Sequence, residues 1–337
     1  MPRLPVSFLL VAAVVGSAAS LAAAPAPRAV ARAGVALVAY AEAGDVVVAD
    51  GNRRSAATIP AAARVGALAR LDGGWLLAGT APSADGGSEI WLRRGDAQGA
   101  SVVPPPGGRT GLRRHGPVVL GDAAVVAGLA WLEGNDRSRL EIRFAAWTGT
   151  SFGPSQRVAP PGRGSQLALA GARLGDGRLL LVWAGYDGED DEIWASLGVG
   201  GSWSRAVRVG GDNRVPDITP AVVTDSSGAL IAWSRFDGSE YQAVLARFDG
   251  RRFHAPRPVA QPGSLFPTFE SDGSRRGLLF VDARRSGWAL RELDAGGNPG
   301  RLGRFDLRGE GERPLVRLSE RGVEWQLSEA SESTVWE

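Results

Sequence analysis

The feature that most constrains this chain is an internal repeat of about fifty residues. Leu179-Leu180-Leu181-Val182-Trp183-Ala184-Gly185-Tyr186-Asp187-Gly188 and Ala229-Leu230-Ile231-Ala232-Trp233-Ser234-Arg235-Phe236-Asp237-Gly238 match at a spacing of 50, and Ala130-Trp131-Leu132-Glu133-Gly134 is a looser copy 52 residues upstream of Trp183. Phe152, Trp203 and Phe253 recur with the same interval, as do Gly149, Gly200 and Gly250. Glu89-Ile90-Trp91 and Glu192-Ile193-Trp194 are identical triplets two periods apart. A fixed period of this length means one supersecondary unit stacked on copies of itself.

Each unit resolves into four short runs rich in Val, Leu, Ile and Trp, separated by Gly- and Asp-containing turns. In the clearest copy the runs are 220–224, 229–236, 241–248 and 252–259. No helical period persists over a useful length, so the chain is expected to be all-β, built of four-stranded antiparallel units of about 40–50 residues that read as blades of a β-propeller. Full copies fall at 64–107, 112–162, 165–212, 217–262 and 265–307. Residues 35–60 look like a blade lacking its innermost strand, and 312–337 offers strands without a blade. Pairing the N- and C-terminal segments would complete a sixth blade and close the ring, leaving no open sheet edge. Six blades are expected, with seven as the alternative.

Composition excludes several chemistries. The 337 residues contain no Cys and two His, so disulfides, thiolate metal sites and three-His zinc sites are ruled out. All 38 basic side chains are Arg and are interleaved with 36 acids, for a net charge of +2, which gives no clustered footprint for nucleic acid. Residues 1–24 carry one positive charge, a short apolar stretch and a small-residue zone. This is the pattern of a secretory signal cleaved within 19–24, with 25–34 as a linker and 35–337 as one domain. The apolar stretch is too short to span a bilayer, so the mature chain is expected to be secreted or periplasmic, with no membrane span.

Ser196-Leu197-Gly198-Val199-Gly200-Gly201-Ser202-Trp203 resembles the Asp-box of sialidase-type (BNR) repeats, S-x-D-x-G-x-T-W, with Gly198 where the aspartate belongs. The resemblance implies a propeller whose box is a structural turn, its aromatic packing between sheets. A sialidase also implies an arginine triad, a Tyr–Glu pair and an acid/base Asp. The first arginine of that triad lies in an R-I-P motif that this chain lacks, and Tyr40, Tyr186 and Tyr241 sit in core-strand patterns. No catalytic residue is carried over.

In a four-stranded meander, the links between second and third strands share a face with the links between blades. That face usually carries the ligand funnel. Its candidate binding residues are Arg109, Arg113, Arg114, His115, Arg163, Asp212, Arg214 and Asp217, because a guanidinium fork suits a carboxylate or sulfate. Calcium is the one cofactor weighed, on Asp187, Asp190 and Asp191. The expected role is a non-catalytic binding module for a glycan, peptide or protein partner. A divergent sialidase-like glycoside hydrolase and an envelope scaffold are the alternatives.

Overall fold

In a computed structural model of the full chain, the residues described are 28–33, 37–42, 45–107, 111–122, 125–136, 139–159, 166–271, 275–305, 313–318, 322–326 and 331–335. The signal-like segment, Arg109, Arg163 and Trp336 lie outside them. Seven antiparallel sheets follow one another along the described chain: five have four strands, the fourth has five because Ser202–Trp203 and Val207–Arg208 both pair with Asp191–Val199, and the last has three. The fold is all-β and is that of a β-propeller. No helix of the described residues is long and apolar enough to cross a membrane.

In every sheet the strands are ordered as they occur in sequence. The fifth is representative: Asp217–Asp225, Gly228–Phe236, Tyr241–Phe248 and Arg257–Pro262. Its second strand is buried at seven successive positions, from Gly228 to Ser234. Such a run, unlike the alternation of a half-exposed strand, arises because neighbouring sheets cover both faces. The cores are therefore shared between sheets. Trp233, Phe248 and Ile231 pack with Leu180, Val182 and Ile193 of the fourth sheet, and Leu230 and Leu245 pack with Leu278 and Phe280 of the sixth.

Trp91, Trp131, Trp183 and Trp233 are buried, and Trp194 and Trp203 are half-buried. Several rings lie across a glycine of the adjacent strand. A Cβ on Gly198 would meet the Trp203 ring at 3.1 Å, and one on Gly79 would meet Trp91 at 2.6 Å. The glycine at the box's aspartate position thus makes room for the box's own aromatic. Trp203 also packs edge-on against Phe144 of the third sheet, 5.2 Å between centroids. Ser196 Oγ donates to the Ser204 carbonyl at 2.8 Å, closing the turn.

The ends of the chain differ from expectation. The stretch read as a linker contains the strand Arg28–Ala33, which pairs with Leu37–Glu42 and supplies the innermost strand that the first blade was expected to lack. The C-terminal segment pairs within itself, as Leu315–Leu318, Gly322–Gln326 and Ser331–Val335. Among the described residues it forms no ladder with the N-terminal sheet. It packs against its neighbours instead: Val316, Leu318 and Val323 cluster with Leu279 and Leu290, while Leu315 clusters with Val38 and Tyr40. The physical reason is that Arg28–Ala33 already pairs along Leu37–Glu42, so that edge is occupied and the C-terminal strands pair among themselves.

In each of the six larger sheets the register of the inner strand breaks near its start. Gly116, Thr219 and Phe266 adopt φ of 53°, 55° and 52°, and each precedes a proline. A non-glycine residue seldom holds this conformation without outside support. Here buried Ser234 provides it, with its hydroxyl 2.9 Å from Thr219 Oγ1 and accepting the Phe266 N–H at 3.0 Å. One serine side chain therefore ties the fifth sheet to the sixth beside the funnel face.

Candidate functional site

A cluster of charged residues lies where the fourth sheet meets the fifth. Asp217 opens its inner strand fully buried, opposite Arg235 of the second strand. Arg235 Nε and Nη2 reach its two oxygens at 2.8 and 2.7 Å, the fork–fork geometry that makes such pairs strong. The guanidinium also lies 5.6 Å from the Trp233 ring. The link between the sheets crosses directly above. A Cβ on Gly210 would sit 2.9 Å from Arg235 Nη2 and 3.3 Å from Asp217 Oδ2, so a larger residue there would have to displace the guanidinium from its carboxylate.

Asn213 fastens that link. Its Nδ2 donates to Asp217 Oδ2 at 3.1 Å and to Glu192 Oε2 at 3.2 Å, its backbone N–H donates to Glu192 Oε1 at 3.1 Å, and its Oδ1 accepts the Val215 N–H at 2.8 Å. Glu192 is fully buried. Burial pushes its carboxyl up to about 7, against the opposing effect of the Asn213 N–H. Arg214, between these anchors, is exposed and forms no hydrogen bond or ion pair with a described residue.

At the rim, Arg208 lies 5.2 Å from the Trp194 ring and bonds Asp187 Oδ2 at 2.7 Å and also Asp212. Asp187, Glu192 and Asp212 each place a carboxylate oxygen within 4.8 Å of the others. This trio, rather than Asp187, Asp190 and Asp191, has metal-ligand spacing. Arg208 already supplies positive charge to two of its members, so a calcium ion would compete with a guanidinium. Both Asp190 oxygens are buried without a hydrogen-bond partner. Burial, then neighbouring acids, pushes the carboxyls of Asp190 and Asp191 up.

The expected binding residues thus separate. Asp212, Arg214 and Asp217 come together, with Asp217 fully buried and paired to Arg235. Arg114 belongs to an equivalent pair of reversed polarity in the third sheet: its Nε is 3.7 Å from fully buried Glu133, and its Nη1 donates to the Pro106 carbonyl at 3.0 Å. Glu133 also accepts from Trp131 Nε1 at 3.1 Å. Arg114 thus faces a buried acid across the ladder. His115 is half-buried in the same strand, and Arg113 is exposed on the neighbouring loop. Sequence reasoning missed Arg235 and Arg208. The available signal for Arg235 was its column, since it follows Trp233 by two positions as Glu133 follows Trp131.

No protein-family model matches the chain, and no curated protein sequence matches it. Solved structures do match in fold. The Dos1 propeller is 9% identical, with 92% of each chain covered and a TM-score of 0.56. A Dyadobacter fermentans protein of unknown function is 14% identical over 81% of this chain and 93% of its own, with a TM-score of 0.52. A puromycin-hydrolysing peptidase from Mycobacterium tuberculosis is 13% identical over 90% of this chain but 58% of its own, also with a TM-score of 0.52. At such identities the likeness defines the class, β-propeller, and nothing narrower.

Proposed function

We propose that this protein is an exported, non-catalytic binding module that takes an anionic group of a glycan, peptide or protein partner on its funnel face. The observation that carries the reading is Arg214. It is an exposed guanidinium, paired with no described residue, on a link whose next-door residue, Asn213, is pinned to two buried carboxylates. The backbone that carries this donor fork is already fixed and need not be ordered on binding, which lowers the cost of recognition. We read the ring as seven-bladed, supported by the seventh sheet's apolar contacts with both the sixth and the first. The box-like turn supports a distant relation to sialidase-type repeats.

A second reading, a divergent glycoside hydrolase, has one observation in its favour. Glu192 and Asp217 share the Asn213 amide, one carboxyl raised to about 7 and the other clamped by arginine. Retaining hydrolases use two carboxyls about 5 Å apart in different protonation states. Both groups here are fully buried beneath Asn213, which favours an anchoring role. A glycan array run beside a chromogenic sialoside assay tests both. We expect binding without turnover, weakened about tenfold by Arg214→Ala, the loss of one charge-assisted contact. Turnover abolished by Glu192→Gln would establish the hydrolase instead, and wild-type affinity in Arg214→Ala would refute the funnel reading.

A further inference from the structure

A separate cavity of about 790 Å³ lies between the outer edge of the fourth sheet and the turn joining the third and fourth strands of the fifth. Its volume falls in the range of sites for small ligands, roughly 300–1,000 Å³. Leu197, Val209, Phe248 and Phe253 contribute apolar surface, the two phenyl rings 4.7 Å apart between centroids. Val207, at the edge, is 49% exposed.

Charge around this cavity is one-sided. Arg205, Arg208, Arg251 and Arg252 line it, and no acidic residue does. In a chain with 38 basic and 36 acidic side chains, that is a local departure from overall balance. Two of these arginines are already partnered: Arg208 pairs with Asp187 and Asp212, and Arg252 with Asp249 at 3.5 Å, while Asp249 also accepts the Arg251 and Arg252 N–H groups at 2.9 Å and lies 2.8 Å from His254. Arg205 and Arg251 are exposed, and their guanidinium groups pair with no described residue. Two free forks beside a hydrocarbon wall suit one kind of molecule.

We propose that this cavity binds an amphipathic anion, a ligand with an aliphatic or aromatic body and a carboxylate or sulfonate head. The body displaces water from Leu197, Val207 and Phe253, and the head takes hydrogen bonds from Arg205 and Arg251. The site shares Arg208 and Gly210 with the funnel-face cluster, but it does not include Arg214 and does not rest on the reading given for that residue.

The probe is 1-anilinonaphthalene-8-sulfonate, titrated by fluorescence and competed with dodecanoate below its micellar concentration or with uncharged decanol. We expect one saturable site from which dodecanoate displaces the dye far better than decanol. Arg205→Glu/Arg251→Glu should weaken it at least about tenfold, and Ala255→Trp, which fills the cavity from an exposed lining position, should abolish it. These side chains have no described partners, so both variants should melt as the wild type does, and Arg214→Ala should bind dye normally. Absence of saturable binding, or unchanged affinity in both cavity variants, overturns the proposal. Equal displacement by decanol overturns its anionic half. Displacement by an acidic peptide but not by dodecanoate would assign the cavity to a protein partner instead.

Discussion

Arg235 and Asp217 face each other across the first two strands of the fifth sheet, joined by two hydrogen bonds of 2.8 and 2.7 Å and packed against Trp233. Asp217 is fully buried, so removing its partner strands a charge away from water. Arg235→Met should destabilise the protein by about 3–5 kcal/mol, whereas Arg235→Met/Asp217→Leu should recover most of that loss. Urea unfolding of the two variants measures the difference. Equal stability of the single variant and the wild type would show that the pair is not desolvated in solution.

Stability should fall as pH rises from about 4.5 to 7. The Glu192 carboxyl moves from an ordinary 4.5 to about 7 on folding, so through this window the folded state holds a proton that the unfolded chain has released. The full effect, reached above pH 7, is about 3 kcal/mol of lost stability. Asp190 and Asp191, also raised, act in the same direction. Asp225 acts oppositely. Burial pushes it up, but hydrogen bonds from Ser227, Arg276 and Arg247 outweigh this and hold it well below the carboxylate range, so its contribution is lost only as the solution becomes acidic. A stability profile against pH should therefore peak in mildly acid solution, and Glu192→Gln should remove most of the slope between pH 5 and 7.

Arg208 neutralises two members of an acidic trio that has the spacing of a cation site. Arg208→Ala should lower the melting temperature and make it respond to calcium, because oxygen ligands left without a guanidinium suit a hard cation. Thermal melts with calcium or with chelator test this. A variant that melts as the wild type does under both conditions would show that the trio needs no counter-charge.

Deletion of 314–337 should abolish cooperative unfolding. It strips Leu315 from Val38 and Tyr40, and Val316, Leu318 and Val323 from Leu279 and Leu290, uncovering apolar surface on two sheets at once. An unshifted melting curve after the deletion would show that the last sheet is dispensable.

Much of the blade structure is legible in the sequence. The Trp183 and Trp233 segments lie in equivalent second strands, and the third strand Tyr241–Phe248 has the expected bounds. Those strands are covered on both faces, so their apolar runs are visible in sequence. The first strand of the chain was not legible, because Arg28–Ala33 is short and alanine-rich and carries no turn signal of its own. The site was legible as a list of charged loop residues, not as a network. Arg214 and Arg114 look alike in sequence. Only the fold shows that Arg114 faces buried Glu133, while Arg214 faces solvent.

The sequence by itself determined the repeat, the all-β class and the absence of thiol chemistry, since period and composition are local properties. Tertiary structure decided which charges are free. Whether an arginine is a ligand contact or an anchor depends on what lies across the ladder and between sheets, as Asp217 does for Arg235 and as no described residue does for Arg214, Arg205 or Arg251. Those relationships join residues brought together by folding, and no spacing along the chain encodes them.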